Sequence, residues 1–123
     1  MNNSYKITCS LDAGYKGDGQ KFSIKFAEQV IEKWMTDRIT GGKLAINGIL
    51  IAGKLFFDAK GRRNDKKLVT ISEVCIYEGN VLSTTGKSDK EITEALESLA
   101  LELKNQLKQD KVFIIFGDKN WFI

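Results

Sequence analysis

Apolar and polar residues alternate through "YKITCSL", with Tyr5, Ile7, Cys9 and Leu11 on one side and Lys6, Thr8 and Ser10 on the other. That period predicts a half-buried strand near the start of the chain. After the glycine-rich loop "DAGYKGDGQK" the spacing changes. Phe22, Phe26, Val30 and Trp34 recur every four residues beside Ala27, Ile31 and Met35. This predicts an amphipathic helix that ends near Arg38, at the Gly41-Gly42 pair. "KLAINGILIAGKLFFDA" returns to strand character, as one bent strand or a hairpin, with Gly48 and Gly53 as bulges or turn points.

Residues 60–67, "KGRRNDKK", form a charged turn before "LVTISEVCIYE", another β-branched, apolar-rich strand. A short "NVLSTT" is expected to pair back through a turn at Glu78-Gly79-Asn80. The clearest helix runs from Asp89 to about Lys108, with Ile92, Ala95, Leu96, Leu99, Leu103 and Leu107 as its core stripe. "KVFIIF" supplies a final buried strand and "GDKNWFI" closes the chain. The order strand, helix, strands, helix, strand, with alternating rather than uniformly apolar strands, predicts an α+β fold. Its expected form is a mostly antiparallel sheet with both helices on one face, ferredoxin-like or related, in a single domain over residues 1–123.

Composition narrows the chemistry. The chain has 123 residues and 42% hydrophobic content, enough for one core without disulfides or metals. Lysine supplies sixteen of the nineteen basic residues and the net charge is +3, so the surface is mixed in sign and nucleic acid is not an expected partner. No apolar run is long enough for a membrane span, since "GILIAGKLFF" is interrupted by Gly53 and Lys54, and a cytoplasmic location is expected. Cys9 and Cys75, without a CxxC spacing, read as buried thiols in a reducing compartment. There is no histidine, which removes Ser-His-Asp, Cys-His and ordinary zinc sites together. No metal or cofactor is expected.

Gly86-Lys87-Ser88 invites comparison with a phosphate-binding loop, which requires a glycine five positions before the Gly-Lys pair. That position is Val81, and the nearest upstream glycine, Gly79, is two residues too distant. Ser88 and Glu91 instead have the spacing of a helix-capping box. The turn still leaves a positive helix end beside Lys87, a weak anion site.

Three further groups of residues carry candidate chemistry. Lys104 and Lys108 are like charges four apart on the flank of the apolar stripe, with Leu101 beside them; such a pair costs about 0.2–0.5 kcal/mol in an isolated helix. Solvated lysines are the plain reading, and an anion held near a subunit interface the functional one. Among the aromatics, Phe56, Phe113 and Phe116 are expected in the core, whereas Tyr77, at a strand end before Gly79-Asn80, suits a platform for a purine base. Asp12, Asp18, Asp58 and Asp65 are loop residues in which no two carboxylates are forced together, so acid–base or metal-dependent hydrolysis finds little support.

In size, lysine-rich composition and element order the chain resembles the small phage proteins of the Thoeris anti-defence family. The resemblance rests on Tyr77 in "CIYEGN" and on Lys104 and Lys108 in "LELKNQLKQD", with Asn80 as a weaker polar contact. It implies a non-catalytic, homo-oligomeric sponge that sequesters a small-molecule nucleotide signal, cyclic ADP-ribose, in pockets between subunits. The family is expected to use arginines on that helix, and a lysine grips phosphate only as a point charge. Under this reading the protein is not an enzyme. Two other readings stand beside it: a protein–protein inhibitor using a sheet edge or the "NWFI" tail, and a small ferredoxin-like enzyme using tyrosine and carboxylates.

Overall fold

The computed structural model describes residues 3–13, 20–58, 68–81 and 86–123. The expected charged turn at 60–67, most of "NVLSTT", and Asp18 and Asp65 lie outside the described residues. The elements are β1 (Ser4–Ser10), α1 (Ile24–Thr40), β2 (Ile49–Asp58), β3 (Val69–Asn80), α2 (Asp89–Gln106), β4 (Phe113–Phe116) and β5 (Lys119–Phe122). They form an antiparallel five-stranded sheet in the order β2-β3-β1-β4-β5 with two helices, an α+β fold. The first six elements follow the ferredoxin-like β-α-β-β-α-β order, and β5 extends the sheet beyond β4.

Alternation decides which side of the sheet is covered. Tyr5, Ile7 and Cys9 of β1, Cys75 and Tyr77 of β3, and Ile114 and Phe116 of β4 are all buried with the apolar stripes of the helices. In α2 that stripe is Ile92, Ala95, Leu96, Leu99 and Leu103, as the periodicity predicts. Ser88 and Glu91 form the expected capping box, and Lys87 pairs with Glu91 at 3.9 Å. Ser23 caps α1 by accepting from the Phe26 N–H, so Phe22 precedes the helix and stacks on Phe26 with centroids 5.3 Å apart.

Four expectations need correction. β3 runs unbroken through Asn80, so Glu78-Gly79-Asn80 is ladder and not a turn; it pairs with Lys6, Tyr5 and Ser4. Gly53 keeps regular register opposite Val74, and only residues from Ile49 onward are strand. "GDKNWFI" folds back on β4 as β5, through a two-residue turn in which Gly117 has φ of +63°. Phe56 is 62% exposed and not core, because the β2–β3 pair runs past the start of α1, where the described residues offer its ring little to pack against.

The helices are tied to one another by polar contacts at their shared seam. Trp34 donates its indole N–H to Ser98 at 3.0 Å. Arg38, 7% exposed, lies over the Trp34 ring, donates to the Leu44 carbonyl and makes a bidentate pair with Glu94 at 2.8 and 3.2 Å. The guanidinium holds the Glu94 carboxyl below its ordinary range. The stability this pair supplies is therefore whole above the usual carboxylate pKa and is lost as pH falls through the lower, folded-state value. Because the Glu94 side chain is 62% exposed, the contribution is about 1 kcal/mol. Urea unfolding at neutral and at acidic pH should show a loss that Glu94→Gln abolishes, the variant being the weaker of the two only at neutral pH.

Candidate functional site

The connection from α1 to β2 is held from inside the core. Tyr77 donates its hydroxyl to the Ile46 carbonyl at 2.7 Å, and Tyr5 donates to the adjacent Asn47 carbonyl. The two rings are 6.1 Å apart and tilted by 45°. Gly48 is obligatory beside them, since a Cβ there would meet Tyr77 ring carbons at 2.8 and 2.9 Å as well as the Tyr5 hydroxyl. Burial pushes both phenols above their ordinary range, so neither exchanges protons near neutral pH.

This clamp sets one end of a groove between α1 and the edge strand β2. A cavity of about 370 Å³ is lined on the helix side by Glu28, Ile31, Glu32, Met35, Thr36 and Ile39, and on the sheet side by Gly48, Leu50 and Tyr77. A second cavity of about 290 Å³ continues toward the start of α1, between Phe22, Ser23 and Ile24 on one side and Leu11, Ala52, Lys54 and Glu73 on the other. Leu50, Ala52 and Lys54 share one face of β2, so the cavities follow each other along the same groove. Their sizes are those of small-molecule sites.

The groove has apolar walls and a charged rim. Glu28 and Glu32 are exposed, one helical turn apart, and neither is in an ion pair among the described residues. A like-charged pair at this spacing costs about 0.2–0.5 kcal/mol, which a cationic ligand would relieve. At the other end Glu73 stands opposite Lys54 across the β2–β3 ladder. Carboxylates, aliphatic walls and the edge of Tyr77 favour a ligand with a positive centre and an apolar or aromatic part.

Of the residues singled out from the sequence, only Tyr77 borders this groove. It does so as a buried wall, 3% exposed and hydrogen-bonded into the core, not as an open stacking platform at a strand end. Asn80 ends β3 and is exposed. Lys104 stands near the end of α2, whereas Lys108 lies past the C-cap Leu107 with φ of +53° and donates to Gln20. Asn80 pairs with the first residue of β1, while Lys108 reaches a residue beyond its last, which puts the two about 20 Å apart. One chain does not bring the four residues together. Leu101 is 48% exposed, as expected, and borders a separate depression with Arg38 and Lys43. The sequence reading missed Glu28 and Glu32, although their spacing is the one that drew attention to Lys104 and Lys108.

No family model matches the chain, and no curated protein matches it. Among solved structures it is similar to a phage SAM lyase in complex with S-methyl-5'-thioadenosine, at 18% identity and a TM-score of 0.67, covering 100% of this chain and 91% of that one. It is similar also to a phage SAM lyase in the apo state, at 18% identity and a TM-score of 0.66, covering 98% and 86%. At this identity the likeness is one of fold. It nevertheless overturns the expectation that the chain is not an enzyme, because the fold shared along its whole length carries a lyase. The missing histidine excludes mechanisms that shuttle protons through imidazole, and catalysis by other means is untouched.

The clamp is open to direct test. Tyr77→Phe leaves the buried Ile46 carbonyl without its donor and should cost about 1–2 kcal/mol in urea unfolding. Gly48→Ala forces a methyl into the two rings and should cost about 1–3 kcal/mol, with near-ultraviolet circular dichroism reporting displaced tyrosines.

Proposed function

We propose that the chain binds S-adenosylmethionine, or a close adenosyl sulfonium, in the groove between α1 and β2 and cleaves it to S-methyl-5'-thioadenosine. In this reading it is a phage counter-defence protein acting in the cytoplasm of a bacterial host, where it depletes a small molecule that the host supplies. What carries the reading is the full-length fold likeness to a phage SAM lyase, one copy of which holds that thioadenosine. The groove supports it, with room for an adenosine and an acidic rim for a cation.

The chemistry suits a histidine-free site. Breaking the bond between the sulfonium sulfur and Cγ of the amino-acid chain leaves both electrons on sulfur, and the leaving group is a neutral thioether that needs no proton. Two closures balance the reaction. In one the substrate's own carboxylate bonds to Cγ, giving a lactone with no net proton release. In the other a protein carboxylate takes a proton from Cβ as a carbon–carbon double bond forms. Since the positive charge disappears from sulfur on the way to the transition state, Ile31, Met35, Ile39 and Leu50 assist by excluding water, while Glu28 and Glu32 act in capture.

Cyclic ADP-ribose, implied by the family resemblance, shares the adenosine half but replaces the cation with two phosphates. Lys104 and Lys108, which would meet those phosphates, line neither cavity. The homo-oligomer belongs to the same proposal: Ile49, Ile51 and Phe122 are exposed on the helix-free sheet face, and sedimentation of the pure chain should show more than a monomer.

Incubation with S-adenosylmethionine should release S-methyl-5'-thioadenosine, followed by liquid chromatography and mass spectrometry, with the amino-acid product separating lactone from alkene. Glu28→Gln with Glu32→Gln should raise KM about tenfold or more, a loss of roughly 1.4 kcal/mol, and change kcat less. Neither turnover nor a thermal shift with millimolar ligand, alongside stabilisation by cyclic ADP-ribose, would replace the lyase reading with the nucleotide one.

A further inference from the structure

Cys9 and Cys75 are direct partners in the β1–β3 ladder, on its helix-facing side, and each is 1% exposed. The Cys9 thiol donates to the Ser10 carbonyl at 3.7 Å. Two residues along the same ladder the Leu11 N–H donates to the Glu73 carbonyl at 2.8 Å. Hydrogen-bonded positions recur every second residue, so Cys9–Cys75 is such a pair, with Cα atoms about 5.5 Å apart. A disulfide accepts Cα separations of about 4.4–6.8 Å, but its Cβ atoms stand at about 3.5–4.5 Å, closer than the roughly 5.5 Å of a hydrogen-bonded strand pair. The bond therefore fits once β1 and β3 draw slightly together.

We propose that Cys9 and Cys75 are a redox-sensitive pair that closes into a cross-strand disulfide by exchange with a low-molecular-weight disulfide. One cysteine, as thiolate, attacks the small disulfide and displaces one of its halves as a thiol, leaving a mixed disulfide on the protein. The second cysteine then attacks the protein sulfur of that mixed disulfide, forming the Cys9–Cys75 bond and displacing the other half. Both cysteines are oxidised, the small disulfide is reduced to two thiols, and the two cysteine protons end on those thiols. Burial makes the native pair slow to react, so local opening of the sheet gates the reaction. A bond that must pull its strands together is also readily reduced, as a reversible device requires. Cys75 stands opposite Ala52 and between Glu73 and Tyr77, which line the two cavities, so closure tightens the groove floor.

The test uses the full chain, unfolded in urea and refolded with oxidised glutathione, so that burial cannot block access. The expected product is an intrachain species lighter by two hydrogens, with a peptide linking Cys9 to Cys75, no thiol titratable after unfolding, and full reversal by dithiothreitol. Cys9→Ser and Cys75→Ser should each give only the glutathione adduct of the remaining thiol. Stable glutathione adducts at both cysteines, or disulfides between chains without the intrachain bond, would overturn the proposal.

Discussion

Two carbonyl groups, those of Ile46 and Asn47, depend on two tyrosine hydroxyls for their hydrogen bonds, and the placement of β2 depends on both. The chain leaves α1 and must reach the edge of a sheet whose core side is already filled by Ile7, Tyr5 and Tyr77. An irregular segment running over that core would bring unpaired backbone into an apolar place, at a cost of about 1–3 kcal/mol per group. Tyr5 and Tyr77 remove this cost by reaching up from neighbouring strands. They demand in return that no side chain stand at Gly48, where the rings lie, or at Gly79, where a Cβ would meet Asn47 and Tyr5 atoms at 3.2 Å.

The groove follows from the same arrangement. Held at Gly48 and paired to β3 along its length, β2 leaves a gap beside α1 that carries apolar side chains inside and carboxylates at its rim. Arg38 and Trp34 fix the other wall by binding α1 to α2 and to the connecting segment. Glu28 and Glu32 thus sit on the helix, Lys54 and Glu73 on the sheet beside the second cavity, and the shape comes from the pairing of β2 with β3. That division of labour suits a ligand that must be attracted as a cation and then held away from water.

Features written in neighbouring residues were legible in the sequence. The Ser88–Glu91 capping box, the stripe of α2 and the alternation of β1 each depend on positions within a turn or two of one another. Misreadings arose where distant residues decided. Gly79-Asn80 has the look of a turn, yet it remains strand because Tyr5 crosses Gly79 from β1. Phe56 has a core residue's chemistry but sits where the ladder outruns the helix. The strand β5 was hidden by its brevity and its two-residue turn. The groove itself could not be read, because it is made by pairing Leu50 with Tyr77 and by laying α1 across them. What could have been noticed is the unrelieved charge of Glu28 and Glu32 next to Ile31 and Met35. The absence of histidine constrains proton transfer and says nothing about a leaving group that departs neutral, and the non-enzyme expectation came from the family resemblance.

The two walls of the groove differ in how they resist force. The α1 wall is braced by an indole, a guanidinium and a packed seam, whereas β2, at the sheet's edge, pairs among the described residues with β3 alone. Among the described residues no strand lies beside its other row of amides and carbonyls. Stiffness is therefore unequal, and Glu28 and Glu32 stand on the braced wall while the compliant one carries Lys54. Any change in the width of the groove would therefore fall on β2, held at its Gly48 end, and would leave Glu28 and Glu32 of α1 in place.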